Sequence, residues 1–549
     1  MIYLDIETNL AHDTIWCVVT LKDGHTMLWT GPEGLQEYLD GEQVCAHNLV
    51  GFDAPVLRKV WDVRIPANKA VDTLVMSRLL NPVVEGGHSL KAWGKRLGND
   101  KMDFDTEDFD GGLTDEMIDY CKRDVEVLAQ LHTHLEHEFK QWGNAEQSLE
   151  LEHRIAMYMA QQERNGFLLN VRYCTELLTE MREKMLDITI RLQEVFPPLV
   201  HERWSEKTGK RLKDKVEEFN VGSRKQIASR LQSLGVEFTK HTEKGNVIVD
   251  ESVLKKINRP EAQLIAEYLM LQKRVGMLDS WLTYAKDNGR VHGRVMPNGA
   301  ITGRMTHTSP NMGQITSVKS EYGTESRTCW TVPDGYKLVG CDLSGIELRC
   351  LAHYMKDEAY TYEILEGDIH TANQKAAGLP TRDNAKTFIY ALLYGAGPAK
   401  IGSIVGGTAT QGQALIEKFM GNMPALDKLL RRVHRLAGKG YVPALDGRRV
   451  IVRSEHAALN SLLQSCGAII AKQWCLEIHK ALREAGLTNE YVKQVAFVHD
   501  EIQMEVKERY AERVAKIMVD SAKKAGETLE FRVPVDAEAK IGKTWYDTH

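Results

Sequence analysis

Apolar positions along the chain predict strands that end in acidic residues. A continuous apolar run ending at Val339 predicts a buried strand that carries Asp342 at its C-terminal edge, and a helical pattern begins at Ile346. Residues 495–506 combine an apolar run with apolar residues at alternating positions, which predicts a hairpin. The residues at the predicted turn are His499, Asp500 and Glu501.

The first eight residues, MIYLDIET, predict a short strand in which Asp5 and Glu7 lie on one face, because side chains in a strand repeat every two residues. Further on, Asp53 follows a glycine-containing turn, and Tyr120 and Asp124 lie one helical turn apart. Each of these fragments alone is more often structural than catalytic. Together they supply four carboxylates and a phenol.

A third pattern repeats every fourth residue in TRDNAKTFIYALLYGAG. Arg382, Lys386, Tyr390 and Tyr394 fall along one stripe of a helix. The rise from Arg382 to Tyr390 is about 12 Å, roughly the reach of a nucleoside triphosphate. The stripe therefore suggests a nucleotide-binding helix. An amphipathic helix with solvated cations and inward tyrosines explains the stripe alone equally well.

These residues suit phosphoryl transfer, which needs divalent cations more than covalent help from the protein. Asp342 and Asp500 are the candidate ligands in the C-terminal half. The four N-terminal carboxylates could bind two metal ions about 4 Å apart, with Tyr120 orienting the attacking water for phosphodiester hydrolysis. A carboxylate at a hairpin tip is otherwise usually a solvated turn residue.

Composition narrows the class of protein. At 549 residues with 43% hydrophobic content, the chain should form two or more globular domains. Its nine cysteines include no Cys-x-x-Cys pair, which argues against a zinc site and for a reducing compartment. No signal peptide or membrane-length apolar run is visible, so we expect a cytoplasmic enzyme with no membrane partner.

The net charge of −6 does not favour a nucleic-acid partner, but the distribution of charge does. A basic stretch within residues 203–225 could follow DNA phosphates, although a solvated charged loop is an equal alternative. Its cations are Arg203, Lys207, Lys210, Arg211, Lys213, Lys215, Arg224 and Lys225.

The motifs resemble those of a known family. DLSGIELR from Asp342, the four-residue repeat from Arg382 and HDE from His499 resemble, in order and spacing, the three polymerase motifs of DNA polymerase family A. GDIHTANQ at 367–374 and HAALNSLLQS at 456–465 are similar to the replicative polymerases of short-tailed bacteriophages. The N-terminal carboxylates resemble the tyrosine subtype of the DEDD class of 3′-5′ exonucleases.

The resemblance implies an α/β multidomain fold: a ribonuclease H-like exonuclease followed by a right-hand polymerase. The exonuclease would occupy residues 1–138 and the polymerase residues 139–549, to within several residues at each boundary. The thumb would span about 165–290, the palm about 291–365 and 476–549, and the fingers about 366–475.

The resemblance also implies nucleotide contacts. Arg382 and Lys386 would neutralise the triphosphate, and His370 would also contact phosphate. Glu347 would block a ribose 2′-hydroxyl and accept a hydrogen bond from the Tyr390 phenol, which the family associates with tolerance of dideoxynucleotides. Tyr394 completes the predicted nucleotide site.

For DNA, the resemblance implies contacts along the primer-template. Amide side chains would donate to minor-groove acceptors that every correct base pair presents. The expected residues are Thr302, Arg304, Gln314, His456, Asn460, Gln464 and His499. A buried, capped helix is the competing explanation for His456, Asn460 and Gln464.

The function implied is template-directed DNA synthesis with 3′-5′ proofreading in a bacteriophage replicase, using two Mg²⁺ ions per active site, with Mn²⁺ as an alternative. Metal ligands would be Asp342 and Asp500 in one site and Asp5, Glu7, Asp53 and Asp124 in the other, with Glu501 as a nearby support. An inactive DNA-binding scaffold and an RNA-synthesising relative remain alternatives.

Expected partners are primer-template DNA, dNTPs, a helicase-primase and a single-stranded DNA-binding protein. Some phage relatives carry a long thumb insertion that captures thioredoxin. Only about twenty residues, Pro198 to Phe219, are available here, so we expect no thioredoxin clamp.

Overall fold

The N-terminal region forms a mixed five-stranded sheet flanked by helices. The computed structural model describes residues 1–99, 111–242 and 244–549. The strand order is β3-β2-β1-β4-β5, with the first three strands antiparallel and β4 and β5 parallel to β1. The strands are β1 (Ile2–Thr8), β2 (Ile15–Lys22), β3 (His25–Trp29), β4 (Val44–Ala46) and β5 (Ala70–Asp72). The helices are α1 (Leu35–Leu39), α2 (Ala54–Trp61), α3 (Thr73–Leu80), α4 (Leu90–Leu97) and α5 (Asp115–Lys140).

Alternation along β1 explains its orientation. Ile2, Leu4 and Ile6 are buried in the apolar core on one face, so the intervening Asp5 and Glu7 point to the other face. The side chain of Thr114 accepts a hydrogen bond from the backbone N–H of Met117, the third residue of α5, and so caps this helix. The predicted domain boundary near residue 138 falls in the last turn of α5.

The middle of the chain is mainly helical. Its elements are α6 (Glu146–Asn165), β6 (Phe167–Leu169), α7 (Val171–Val195), β7 (Leu199–Trp204), β8 (Arg211–Glu217), α8 (Arg224–Ser233), α9 (Glu251–Leu254), α10 (Pro260–Tyr284) and β9 (Arg290–Val291). Helices α7 and α10 lie side by side, and Arg182 bonds both carboxylate oxygens of Asp279 across them, at 2.7 and 2.8 Å. Strands β7 and β8 pair as an exposed antiparallel hairpin, so the basic stretch is not simply a loop.

The C-terminal region is built on a four-stranded antiparallel sheet in the order β16-β17-β13-β18. Its strands are β13 (Tyr336–Leu343), β16 (Val492–Val498), β17 (Glu501–Lys507) and β18 (Ala537–Gly542). The predicted strand to Asp342 and the predicted hairpin are thereby confirmed. Preceding small elements are β10 (Arg294–Met296), β11 (Thr306–Thr308), α11 (Gly323–Thr328) and β12 (Trp330–Thr331).

Among the described residues, nine helices accompany this sheet. Eight of them lie between β13 and β16 in the sequence, and the ninth follows β17. They are α12 (Ile346–Met355), α13 (Glu358–Leu365), α14 (Ile369–Ala377), α15 (Arg382–Leu393), α16 (Pro398–Ile404), α17 (Ala409–Asn422), α18 (Pro424–Ala437), α19 (Ala458–Glu484) and α20 (Ala511–Thr528). A short hairpin, β14 (Tyr441–Pro443) and β15 (Arg449–Ile451), lies between α18 and α19. None of the helices in the described part of the chain is a candidate membrane span.

A buried charge network joins α6, α19 and the turn between β10 and β11. The ammonium group of Lys472 donates to Glu152 at 2.7 Å, to Asn298 at 3.1 Å and to the carbonyl oxygen of Gly303 at 2.7 Å. Arg448 bonds the same Glu152 carboxylate at 2.6 Å. Burial lowers the pKa of Lys472 to about 8. The network therefore fixes the backbone just before Arg304.

We expect Lys472→Met to lower the free energy of unfolding by about 3 to 5 kcal/mol, because Glu152 and the Gly303 carbonyl would remain buried without their ammonium donor. Denaturant unfolding followed by tryptophan fluorescence would measure the loss. The matched control is Lys480→Met, in the same helix but exposed. Equal stability of the two variants would contradict the prediction.

Candidate functional site

Strand register brings acidic residues together at one end of the C-terminal sheet. Asp342 of β13 lies directly opposite Glu501 of β17 and Glu538 of β18. Asp500 occupies the turn just before β17, and its carbonyl oxygen accepts a hydrogen bond from the backbone N–H of Leu343 at 3.1 Å. We call Asp342, Asp500 and Glu501 the C-terminal acidic site. Glu538 is an acidic neighbour that the motifs did not reveal.

The electrostatics of the C-terminal acidic site suit a divalent cation. Surrounding protein, and then the charges of Asp500 and Glu501, raise the pKa of Asp342 to about 7, although its side chain remains exposed to the cleft. Burial also raises the pKa of Asp500. Carboxylates whose ionisation is opposed by burial and by neighbouring negative charge gain most from a hard cation such as Mg²⁺. The donor set therefore fits the expected metal.

Glu501 is held differently, by neighbours within the protein. It accepts hydrogen bonds from Gln503 at 2.7 Å, from the Trp545 indole and from His549 at 3.1 Å. Burial alone would raise the pKa of Glu501, but hydrogen bonding and charge from His549 lower it below the ordinary value. Trp545 and His549 lie 44 and 48 residues further along the chain, so no local pattern could identify them.

The four-residue stripe predicted to bind nucleotide, Arg382, Lys386, Tyr390 and Tyr394, lies along the outer face and C-terminal cap of α15. Its inward residues, including Phe388 and Ile389, are buried, whereas Arg382 and Lys386 are exposed. Arg382 is held by Asp368, with Nε 2.6 Å from a carboxylate oxygen. Partial burial, then the charges of Arg382 and Lys386, lower the pKa of His370. Three of the predicted phosphate contacts thus converge.

The partner of Glu347 differs from the expectation. The Tyr394 hydroxyl, not that of Tyr390, donates to the Glu347 carboxylate, at 2.6 and 2.8 Å from its two oxygens. Glu347 is in the first turn of α12 and faces the C-terminal end of α15, where Tyr394 is the capping residue. Arg304 also approaches Glu347, at 3.5 Å. The Tyr390 ring stacks near Tyr394, with centroids 6.5 Å apart.

Tyr390 connects α15 to the acidic site. Burial raises the pKa of Tyr390, and the charges of Glu347 and Asp500 raise it further. The Tyr390 ring adjoins those of His370 and Tyr394, with centroids 6.3 and 6.5 Å away. The residues of the stripe therefore extend from His370 of α14 to Tyr394, whose hydroxyl contacts Glu347.

The predicted DNA contacts do not all share one element. Asn460 and Gln464 lie on α19, with the Gln464 amide donating to Asn460 at 3.0 Å, but His456 lies in a 3₁₀ turn before that helix. Thr302 is buried, so only its neighbour Arg304 reaches towards the acidic site. The remaining two residues are exposed. They are His499, beside Asp500, and Gln314, which lines a groove with Lys273 and Arg274 of α10.

The N-terminal carboxylates also converge. We call Asp5, Glu7, Asp53 and Asp124 the N-terminal acidic site. Possible ligand atoms of Asp5, Glu7 and Cys121 lie within 4.8 Å of one another, and Asp5 and Asp124 line one open cavity. Burial, and then the charge of Asp5, raise the pKa of Asp53 well above its usual range. This crowding of oxygen donors fits divalent cations.

Local backbone structure positions the side chains of the N-terminal acidic site. Asp53 ends a π-helical turn, Leu49–Asp53, and Asp124 faces inward from α5. Tyr120 lies half-buried one turn earlier on the same face of α5. The thiol of Cys121 donates to Asp5 at 3.3 Å, which the sequence pattern did not suggest.

Comparisons with known proteins agree with the C-terminal geometry. The family model described as DNA polymerase family A matches residues 200–547. The DNA-directed DNA polymerases of Escherichia phage T7 and Enterobacteria phage T3 are each 34% identical over 709 aligned positions that cover both whole chains. A solved structure, the POL domain of Pol1 from M. smegmatis in complex with DNA primer-template and dNTP, aligns with a TM-score of 0.81 at 20% identity, covering 100% of this chain and 95% of that one.

Without divalent metal, Asp342→Asn should raise the thermal midpoint relative to the unchanged protein, increasingly from pH 5 to pH 8. The reason is that the folded-state pKa of Asp342, about 7, exceeds the ordinary value of 3.8, so the stability it contributes is lost as pH rises through that window. Thermal melts in EDTA would measure the difference. Asp334→Asn, at an exposed turn, is the control, and parallel pH profiles for all three proteins would contradict the prediction.

Proposed function

The chain belongs to DNA polymerase family A, and from this premise we propose that it is a template-directed DNA polymerase that extends a primer 3′ end with dNTPs. The observation that carries the proposal is the meeting of Asp342 and Asp500 beside α15, with Tyr390 near both Glu347 and Asp500. Carboxylates for cations and a cationic helix for a triphosphate thus face the same space.

Asp342 and Asp500 would hold two Mg²⁺ ions, or Mn²⁺ as the alternative. When bound, the ions favour deprotonation of the primer 3′-hydroxyl and neutralise the pyrophosphate leaving group. Arg382 and Lys386 bind and orient the triphosphate, Arg by a bidentate fork and Lys as a point charge. Glu501 stays engaged with its own protein partners and supports the turn instead.

Sugar selection would depend on Glu347. Its carboxylate is fixed by the Tyr394 hydroxyl and approached by Arg304, so it cannot easily move aside for an added hydroxyl group. A ribose 2′-hydroxyl would then meet an occupied position. This arrangement favours deoxynucleotides and argues against the RNA-synthesising alternative.

The N-terminal acidic site would carry a 3′-5′ exonuclease in a ribonuclease H-like domain. Its four carboxylates would hold two metal ions, and Tyr120 would orient the attacking water. The product would be a trimmed primer end, so the second activity proofreads the first. The presence of both acidic sets argues against an inactive scaffold.

In the cell, the enzyme would act as a bacteriophage replicase beside a helicase-primase and a single-stranded DNA-binding protein. The 34% identity to phage polymerases over the whole chain supports this role. The segment between α7 and α8 forms only the β7–β8 hairpin, which supports the expectation of no thioredoxin clamp.

Primer extension tests the polymerase. With primed DNA and Mg²⁺, the unchanged protein should use dNTPs and not NTPs, and Asp500→Asn should reduce the extension rate by at least about a hundredfold while binding DNA normally. Gel assays of extension and anisotropy of labelled DNA provide the two measurements. Substantial extension by Asp500→Asn would overturn the assignment, and efficient use of NTPs would favour an RNA polymerase.

Loss of editing tests the second site. The double variant Asp5→Ala/Glu7→Ala should still extend a matched primer but should stop degrading a mismatched 3′ end, by at least about a hundredfold in rate. Glu37→Ala/Asp40→Ala removes one Glu and one Asp from the exposed end of α1 and is the matched control. Continued trimming by the first variant would rule out the proposed ligands.

Dideoxynucleotide use tests Tyr390. The unchanged protein should incorporate dideoxynucleotides readily, and Tyr390→Phe should discriminate against them by at least about tenfold, because the phenol beside the sugar is lost. Competition between a dNTP and its dideoxy analogue measures the ratio. Tyr362→Phe, at an exposed residue of α13, is the control, and equal ratios in all proteins would refute the role.

A further inference from the structure

Two cavities lie in series between the N-terminal acidic site and the hairpin of β10 and β11. The first, about 460 Å³, contains Asp5 and Asp124. The second, about 480 Å³, lies between α3, α6 and β10. Both are lined by Asn48, Leu74 and Arg78, so they adjoin each other at these three residues. We call the second cavity the arginine cleft.

Three arginines from separate elements line the arginine cleft: Arg78 of α3, Arg164 of α6 and Arg294 of β10. Among residues 1–99, 111–242 and 244–549, no carboxylate lies within 4.0 Å of the guanidinium nitrogens of Arg78 or Arg164. Burial lowers the pKa of both, yet a guanidinium stays charged in proteins. Arg294 has only a weak, exposed pair with Glu163, at 3.7 Å.

Two carboxylates, Asp72 and Glu163, line the cleft with three arginines, so one positive charge remains in excess. Asp72 accepts hydrogen bonds from the backbone N–H groups of Asn48 and Val50, at 3.0 Å each, and caps α3. Burial raises the pKa of Glu163, and the charges of Arg294 and Arg164 partly offset this rise. Like charges held close together in a partly buried cleft are unfavourable unless an anion joins them. The excess positive charge of the arginine cleft therefore favours the binding of an anionic ligand.

The β10–β11 hairpin lies between the far end of the cleft and the turn that holds Asp500. Arg294 pairs with Thr308 across the β10–β11 hairpin, and both line the cleft. The preceding residue, His307, points to the opposite face, since side chains alternate along a strand. Burial, and then the charge of His499, lower the pKa of His307 to about 4. The hairpin thus has one face on the cleft and the other near the turn that holds Asp500.

We propose that the arginine cleft binds the phosphodiester backbone of a single-stranded primer 3′ end between the two acidic sites, so that Arg164 and Arg294, outside the exonuclease domain, are positioning residues for editing. The proposal rests on the proposed exonuclease function. A polyanionic strand matches cations spaced along a passage, and a cavity of this volume is too open to select one base.

The test uses the full chain carrying Arg164→Gln/Arg294→Gln. In EDTA, affinity for a primer-template with three mismatched 3′-terminal nucleotides should fall about tenfold, and its logarithmic salt dependence should become shallower by about 1.4, the value for two lost contacts to a single strand. Affinity for the fully matched primer-template should not change. Arg509→Gln/Arg513→Gln, at exposed residues before and in α20, is the control of equal charge.

Two enzymatic readouts accompany the binding assay. With Mg²⁺, the variant should degrade single-stranded DNA with a raised KM and unchanged kcat, and should hydrolyse the p-nitrophenyl ester of thymidine 5′-monophosphate normally, because that small diester reaches only the N-terminal acidic site. A structural defect in the site would slow both substrates.

Each remaining result decides between the two proposals. Unchanged affinity for the mismatched primer-template would overturn the role of the cleft, as would an equal loss for matched and mismatched DNA, which would assign the arginines to duplex binding. Failure of the unchanged protein to hydrolyse the small diester would instead contradict the proposed exonuclease function. It would leave the role of the cleft intact, because the affinity comparison requires no hydrolysis.

Discussion

The pairing of β13 with β17 is the constraint on which the C-terminal site depends. It places Asp342 opposite Glu501 and leaves Asp500 in the adjoining turn, so negative charges are forced together by backbone hydrogen bonds. Buried apolar residues of the same strands, such as Val339 and Met504, hold this register against the repulsion. The protein thus maintains an arrangement that is unfavourable until cations arrive.

The N-terminal site reaches a similar state by other means. One strand supplies Asp5 and Glu7, a π-helical turn supplies Asp53 and a long helix supplies Asp124. Single π-helical turns often occur at functional sites, because they direct one side chain away from the regular helical path. In both halves, rigid elements supply the carboxylates, which is how a site keeps its geometry without bound metal.

Much of the secondary structure around both acidic sites could be predicted from local periodicity in the sequence. The strand to Asp342, the hairpin around Asp500 and the exposed cations of α15 all follow from repeats of two or about 3.6 residues. The partner of Glu347 did not, because whether Tyr390 or Tyr394 reaches it depends on how α12 meets α15. The contacts of Glu501 and Lys472 were also hidden, since hydrogen bonds between residues 44 to 320 positions apart leave no local pattern.

Helix α6 belongs to both halves of the molecule. His153 accepts a hydrogen bond from the Asp72 backbone at 2.9 Å on one side, while Glu152 joins the Lys472 network and Gln162 accepts from Gln494 at 2.8 Å on the other. Deleting the N-terminal sheet and its helices would expose one face of this helix and disturb the contacts on its other face. If the N-terminal acidic site edits primer ends as proposed, a lineage that loses editing should do so by point substitution of carboxylates and should retain the N-terminal region as a scaffold.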